Sequence, residues 1–409
     1  MIVTWSPARQ KTARGPLVGL PAGARRVAVL VESSHAVGRG IVAGISRAAR
    51  PAGWSLELES GRLGEGTPPW FRRWRGDGVI VRLAGERAAE AIGRRGLPTV
   101  DVAGAAAGTQ LPHVRFDDQA IGRMAAEHLL DRGFRTLAFC GIAGLTWSTD
   151  RERGLRAAAG DLAVAESFRF DRLVSRWTAP STLLGRLAGW LAALPRPVGV
   201  VACDDVRGAM VLEACRLAGL AVPDAVAVVG VDDDRSLCQT ADPTLSSVVV
   251  DAARAGELAV GLLERLLDGS PPPRGHRGLV VPPLRVECRR SSDAFAIDDP
   301  HVAAVLRVVR GGDLRHQSVA KLVAASGLPR RTLLRRCQEQ LGHSLHEELI
   351  RARLARAERL LIDTTLPIAE VAARAGFNYP EYLGRVFRQR HGCSPGDFRR
   401  GGGGRGRGA

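Results

Sequence analysis

The chain has 409 residues, 45% of them hydrophobic, and 58 Lys and Arg against 42 Asp and Glu, for a net charge of +16. That length allows two or three domains of ordinary size, and no apolar run of about 18 residues is present, which excludes a transmembrane helix. Seven scattered cysteines form no Cys-x-x-Cys pair, so inert thiols of a reducing cytoplasm are expected, with no metal site and no cofactor.

Residues 1–25 are basic but lack a continuous apolar core or a small-residue cleavage site, so a disordered leader is expected rather than a signal peptide. From Arg26 to Ser291 short apolar runs alternate with amphipathic helices. "RVAVLVE" reads as a strand, Gly40 to Arg50 as a helix, and "WSLELES", "DGVIVRL" and "LPTVDVAG" as further strands. "DDQAIGRMAAEHLLDRGF" is a helix running into the strand "TLAFCG". "VGVVACDD", the helix "GAMVLEACRLAGL", "VAVVGVDDD" and finally the strand "LVVPPLRVECR" complete the series. Apolar strands alternating with helices indicate parallel sheets covered on both faces. About 265 residues is generous for one such sheet, so an α/β pair of doubly wound lobes is expected over 26–291. Ligands of such sheets sit beyond the carboxyl ends of the strands, where Asp204, Asp205 and Asp232 fall. The same acids could instead cap the helices that follow. No glycine-rich phosphate-binding motif accompanies the strands, so nucleotide binding has no support.

The polar stretch 292–300 reads as a linker, and 301–400 is wholly helical. "SVAKLVAASG" is a helix stopped by Gly327, and "PRRTLLRRCQEQLG" follows at once. Leu333, Leu334 and Cys337 face inward in this pattern, while Arg330, Arg331 and Arg335 face out. "SLHEELIRARLARAERLLIDT" then makes a long helix with a Ser344/Glu347 capping box and an inward stripe of Ile350, Leu354, Ala357 and Leu361. At about 1.5 Å per residue it spans roughly 30 Å, near one turn of B-DNA. "IAEVAARAG" and "EYLGRVFRQRHG" form a second short helix, turn and helix, the latter exposing Glu381, Arg385, Arg388 and Arg390. Ser394 caps one last helix, and 401–409 reads as a disordered Gly/Arg tail. Residues 301–409 hold 20 of the basic and 9 of the acidic residues, an excess of 11 against 5 for the preceding 300. The cationic excess therefore sits with the helices, as a polyanionic partner requires.

The segments "SVAKLVAASGLPRRTLLRR", "RVFR" and "GCSPGDFR" resemble the DNA-binding domain of the AraC/XylS family. "VRFDDQAIGRMAAEHLLDRGFRTLAFCG", "ACDD", "VAVVGVDDD" and "TLSSV" resemble a LacI/GalR-type effector domain, itself similar to periplasmic sugar-binding proteins. The resemblance implies a cytoplasmic, sugar-responsive transcription regulator and no enzyme: an activator of a catabolic operon for a xylose-like sugar. Its partners would be operator DNA, the sugar effector, a second copy in a homodimer and RNA polymerase, with no membrane. A transporter's solute receptor and a sugar-acting enzyme are the alternatives. Carried over, the effector would be held by Arg151, by Cys203 or Asp204, by Asp232 and by the ring of Trp147. A carboxylate accepts from two adjacent hydroxyls while a guanidinium donates a fork in return. Val37 and Gly38 stand where a xylose-responsive regulator of this type carries Tyr and Asp, a departure that bears on which sugar is bound rather than on the sugar class. On DNA, Arg330, Arg331, Leu334 and Arg335 of the first reading helix would supply most base discrimination, with Leu334 meeting a thymine methyl. In the second, Glu381 and Arg385 would touch bases, and Arg388 and Arg390 phosphate.

Overall fold

The computed structural model describes residues 24–59, 67–83, 86–104, 111–165, 167–171, 180–270, 278–294, 299–311 and 314–400. The expected leader, save its last two residues, and the Gly/Arg tail lie outside them. The chain divides into two compact units, one of Met1–His128 with Thr136–Ser292, the other of Leu129–Arg135 with Asp293–Ala409.

Two parallel sheets make the first unit. In chain order its elements begin with β1 (Arg26–Leu30), α1 (Ala36–Ala49), β2 (Ser55–Glu59), β3 (Gly78–Val81), α2 (Glu86–Gly93), β4 (Thr99–Val102) and β5 (His113–Phe116). They continue with α3 (Asp118–Leu130), β6 (Thr136–Ile142), α4 (Thr146–Ala159), β7 (Ala163–Val164), β8 (Phe168–Phe170), α5 (Pro180–Ala193) and β9 (Val198–Ala202). The last are α6 (Asp205–Leu217), β10 (Val226–Val231), α7 (Arg235–Thr240), β11 (Ser246–Val250), α8 (Ala252–Leu267), β12 (Gly278–Val281) and β13 (Pro283–Glu287). The first lobe's sheet runs β12-β5-β4-β3-β1-β2, all parallel; the second runs β13-β11-β10-β9-β6-β7, with β8 also on β6. Central strands β3, β9 and β10 are buried along their whole length, which is why they read as unbroken apolar runs.

The chain crosses between the lobes three times: between β5 and β6, between β11 and β12, and between β12 and β13. "LVVPPLRVECR" is therefore not one strand. Val281 ends β12 in the first sheet, and after Pro282 the chain joins the second sheet antiparallel to β11. Neighbouring prolines cannot both feed a ladder, since neither has an N–H to give. Two of the crossings are tied to each other, the Asp117 amide donating to the Val281 carbonyl at 2.9 Å.

Close helix packing fixes where the functional side chains stand. A Cβ on Gly122 of α3 would lie 1.8 Å from the Arg151 carbonyl, and one on Gly154 of α4 would lie 1.9 Å from the Gln119 carbonyl. The two backbones thus touch, and Arg151 is brought against Asp118.

The second unit is helical: α9 (Pro300–Gly311), α10 (Val319–Ser326), α11 (Arg330–Leu341), α12 (Leu345–Asp363), α13 (Ile368–Ala375), α14 (Pro380–His391) and α15 (Pro395–Arg400). Ser292 and Pro300, assigned to a linker by sequence, belong to folded elements, Ser292 being buried in the first unit and Pro300 opening α9. Among the described residues of this unit there are two small cores. Val302, Leu306, Leu322, Leu333 and Cys337 build one with Leu345 and Leu349 from the start of α12. Leu354, Ala357 and Leu361 from the rest of α12 join Val371, Phe377, Leu383 and Phe387 in the other. One 19-residue helix, roughly 28 Å long, is the shared wall of both. Ser344 caps it by accepting from the Glu347 amide at 3.1 Å, while the Glu347 carboxylate turns to Arg351 at 3.0 Å.

The helix crossing yields a stability test. Gly154→Val should destabilise the first unit by about 1–3 kcal/mol, because the added carbons meet backbone that cannot rotate away. Gly185→Ala, on the exposed face of α5 with nothing within 4 Å of a new Cβ, should gain about 1 kcal/mol. Urea melts of both variants check the contrast, and equal midpoints would contradict the packing.

Candidate functional site

The carboxyl ends of β6, β9 and β10 converge on one guanidinium. After β6, Ser148 Oγ accepts from the Ile142 amide at 2.9 Å and pins the start of α4. Trp147 and Arg151 then stand one turn apart, and the Arg151 guanidinium carbon lies 5.0 Å from the Trp147 ring centroid. Arg151 is only 5% exposed. Its Nε donates to Asp118 Oδ1 at 2.9 Å, Nη1 donates to the Cys203 carbonyl, and Asp232 Oδ1 stands 3.8 Å from Nη1. Burial works against this charge, yet Asp118 and Asp232 more than offset it and raise the Arg151 pKa.

Asp232 is the most open acid of this group, its side chain 22% exposed against 13% for Asp118 and 14% for Asp204. Burial pushes its carboxyl up to about 7, although Arg151 and, from the first lobe, Arg82 pull it down, while Asp204 pushes it further up. Arg82 leaves the end of β3 and donates from Nε to the Ala103 carbonyl at 3.2 Å. Asp204 is the N-cap of α6: Oδ1 accepts from the Arg207 amide at 2.8 Å and Oδ2 from the Arg207 guanidinium at 3.1 Å. It is thus both a cap and a charge that acts on Asp232. Asp205 is buried and accepts from Ser247 Oγ at 2.6 Å and the Asp234 amide at 2.7 Å, so its carboxylate organises loops.

Of the alternatives Cys203 and Asp204, Cys203 meets Arg151 through its backbone carbonyl. Its side chain is fully buried, burial lifting the thiol well above the usual range. Trp147, half-buried beneath Arg151, is outside the lobe core. Val37 is buried, and a Cβ on Gly38 would fall 1.7 Å from the Glu32 carbonyl oxygen. No acid fits at 38 unless the end of β1 moves. Sequence reasoning passed over Arg82 and Asp118; the position of Arg82 right after an apolar strand was the available signal for the first.

Helices α11 and α14 share one rhythm of burial. In α11, Leu333 and Cys337 point into the core and Arg330, Arg331 and Arg335 are exposed; in α14, Leu383 and Phe387 are buried while Glu381, Arg385, Arg388 and Arg390 are exposed. Each follows a short helix closed by a left-handed glycine, Gly327 at φ 70° and Gly376 at φ 93°. Leu334 is half-buried and packs against the first small core. Arg335 is braced by Glu339 at 2.9 Å, and the Arg385 guanidinium carbon lies 5.1 Å from the Tyr382 ring centroid.

A pH experiment tests the Asp232 environment. The unfolded chain loses this proton near pH 4, whereas the folded protein holds it up to about 7. The group therefore detracts from stability progressively as pH rises across that window. The melting temperature of Asp232→Asn, relative to the parent, should be higher at pH 8 than at pH 5. A difference independent of pH would contradict the raised value.

A model of the periplasmic binding protein-like domain matches residues 126–292, and a model of the helix-turn-helix domain, of AraC type, matches 322–401. The xylose operon regulatory protein of Escherichia coli strain K12 is 29% identical over 389 residues, 91% of this chain and 96% of that protein. Its counterpart from Haemophilus influenzae is 26% identical over 336 residues, 79% of this chain and 84% of its own. Among solved structures, the xylose-binding transcription activator xylR superposes with a TM-score of 0.57 at 26% identity, covering 93% of this chain and 99% of that one. No helix among the described residues is long and apolar enough to cross a membrane. With a two-lobed, periplasmic binding protein-like domain followed by an AraC-type helix-turn-helix domain, and with similarity to xylose operon regulatory proteins over nearly its whole length, the chain is a DNA-binding transcription regulator.

Proposed function

We propose that this protein switches transcription of a sugar catabolic operon, binding a xylose-like sugar between the lobes and operator DNA with α11 and α14. The observation that carries this reading is the Arg151–Asp232 pair at the strand ends, in one chain with two arginine-bearing reading helices. Asp232 would accept from two neighbouring hydroxyls, Arg151 would orient it, and Trp147 would present its ring to the apolar face of a pyranose. Three interlobe crossings form the hinge, and closure on the sugar would shift the protein toward its DNA-competent form. We further infer a homodimer in the cytoplasm that contacts RNA polymerase as an activator, and no catalytic step.

Calorimetry with D-xylose, L-arabinose, D-ribose and D-glucose tests the pocket. Asp232→Ala and Arg151→Ala should each weaken the bound sugar by roughly 10- to 100-fold, since charge-assisted hydrogen bonds contribute about 1.5–3 kcal/mol. Unchanged affinity in both variants would refute the pocket.

On DNA, α11 carries more base-directed arginines, and α14 more that suit phosphate. Arg335→Ala should lose about 1–3 kcal/mol of discrimination at one base position. Arg388→Ala should weaken all sequences alike and reduce the salt slope by about one ion. Binding titrations over a mutated-operator series and a salt series decide this, and strongest base preferences under α14 would reverse the assignment.

A further inference from the structure

Three successive carboxylates after β10 reach three different parts of the first unit. Asp232 stands 3.8 Å from Arg151, the pair read above as the sugar site. Asp233 Oδ1 accepts from Arg289 Nη2 at 2.6 Å, and the Asp233 amide donates to Ser247 Oγ at 3.0 Å. Asp234 reaches across to the other lobe, where its Oδ2 accepts from the Ala36 amide and from Arg39 Nη2, each at 3.0 Å. It thereby caps α1, whose own N-cap residue His35 makes no side-chain capping bond.

The backbone of this turn is unusual. Asp232 has φ 107° and Asp233 φ 50°, left-handed values that side-chain-bearing residues seldom adopt and that persist where surroundings hold them. The Asp232 amide is held by the Val248 carbonyl at 2.9 Å, and the Asp234 amide by Asp205 at 2.7 Å.

Arg289 opens the last stretch of the first unit. Its Nη1 donates to the Leu245 carbonyl at 2.9 Å and its amide to Ser246 Oγ at 2.8 Å. Ser291 Oγ donates to the Val228 carbonyl at 2.7 Å and accepts from the Ser246 amide at 2.8 Å. Residues 289–292 are thus clamped over β10 and β11, and the chain passes into the second unit at Asp293.

We propose that Asp232–Asp234 is a coupling turn, in which one three-residue loop ties the cleft, the opposite lobe and the exit segment together, so that lobe closure alters the hold on residues 289–292. The coupling rests on the sugar-responsive reading above. Asp233 and Asp234 are positioning residues in it, the first for the exit segment and the second for closure. Two separate ion pairs of merely structural value would lower stability when broken but would leave the sugar signal intact.

The full chain, D-xylose and a duplex selected by the parent protein from a randomised pool give the test. Asp233→Asn keeps the shape of the side chain, and Asn tolerates left-handed backbone. It should speed amide exchange at residues 289–292 at least tenfold, leave D-xylose affinity within twofold, and abolish the change in DNA affinity that D-xylose causes. Arg39→Gln should open the lobes in small-angle scattering without sugar and weaken D-xylose about tenfold, with exchange at 289–292 faster as well. Unaltered exchange in Asp233→Asn, or a full D-xylose effect on its DNA binding, overturns the coupling turn. Should the parent protein bind no D-xylose, the sugar reading for that pentose falls, and the exchange and scattering results alone still decide the turn.

Discussion

The buried guanidinium of Arg151 is the constraint around which the first unit is arranged. A charge this far from water persists only with partners on several sides, and the fold provides them from three elements: Asp118 at the start of α3, the Cys203 carbonyl after β9, and Asp232 after β10. Those partners can converge only if α3 and α4 touch through Gly122 and Gly154. The same side chain then lies over Trp147. One arginine therefore sets the helix crossing, the strand-end geometry and the face that a hydroxylated ligand would meet.

Burial of acids around that arginine divides labour in a way that composition cannot reveal. Asp204 is committed to the α6 terminus and Arg207, Asp205 to Ser247 and the Asp234 amide, and Asp118 to Arg151. Asp232, with one long ion pair among the described residues, holds its proton up to about 7. Desolvation dominates there, and the nearby cations reduce it without reversing it.

Much of this was legible because parallel strands and amphipathic helices write their burial into short-range spacing. β3, β9 and β10 stand out as unbroken apolar runs, and the capped turns at Gly327 and Gly376 mark both helix-turn-helix units. What spacing could not tell is which groups meet from far apart in the chain. Asp234 bonds Ala36 across 198 positions, and Arg82 acts on Asp232 from the other lobe. Spacing also cannot separate neighbours at the edge of a helical stripe. Leu334 sits beside buried Leu333 and is drawn partly into the same core, while Cys203, beside Asp204, turns its thiol into the sheet. The division of "LVVPPLRVECR" between two sheets likewise depends on a crossing that local pattern does not encode.

The long helix α12 belongs to two cores at once, Leu345 and Leu349 in one and Leu354, Ala357 and Leu361 in the other. Its residue count is consequently a phase as well as a length. Each inserted residue would advance the far half by about 1.5 Å and rotate it by about 100°, turning one core's apolar stripe toward solvent while the other stayed in place. Substitutions on its exposed side leave that phase untouched. Over evolutionary time such a helix can change its surface freely, but it resists insertion and deletion, and lineages that diverge widely in residues should keep this segment at one length.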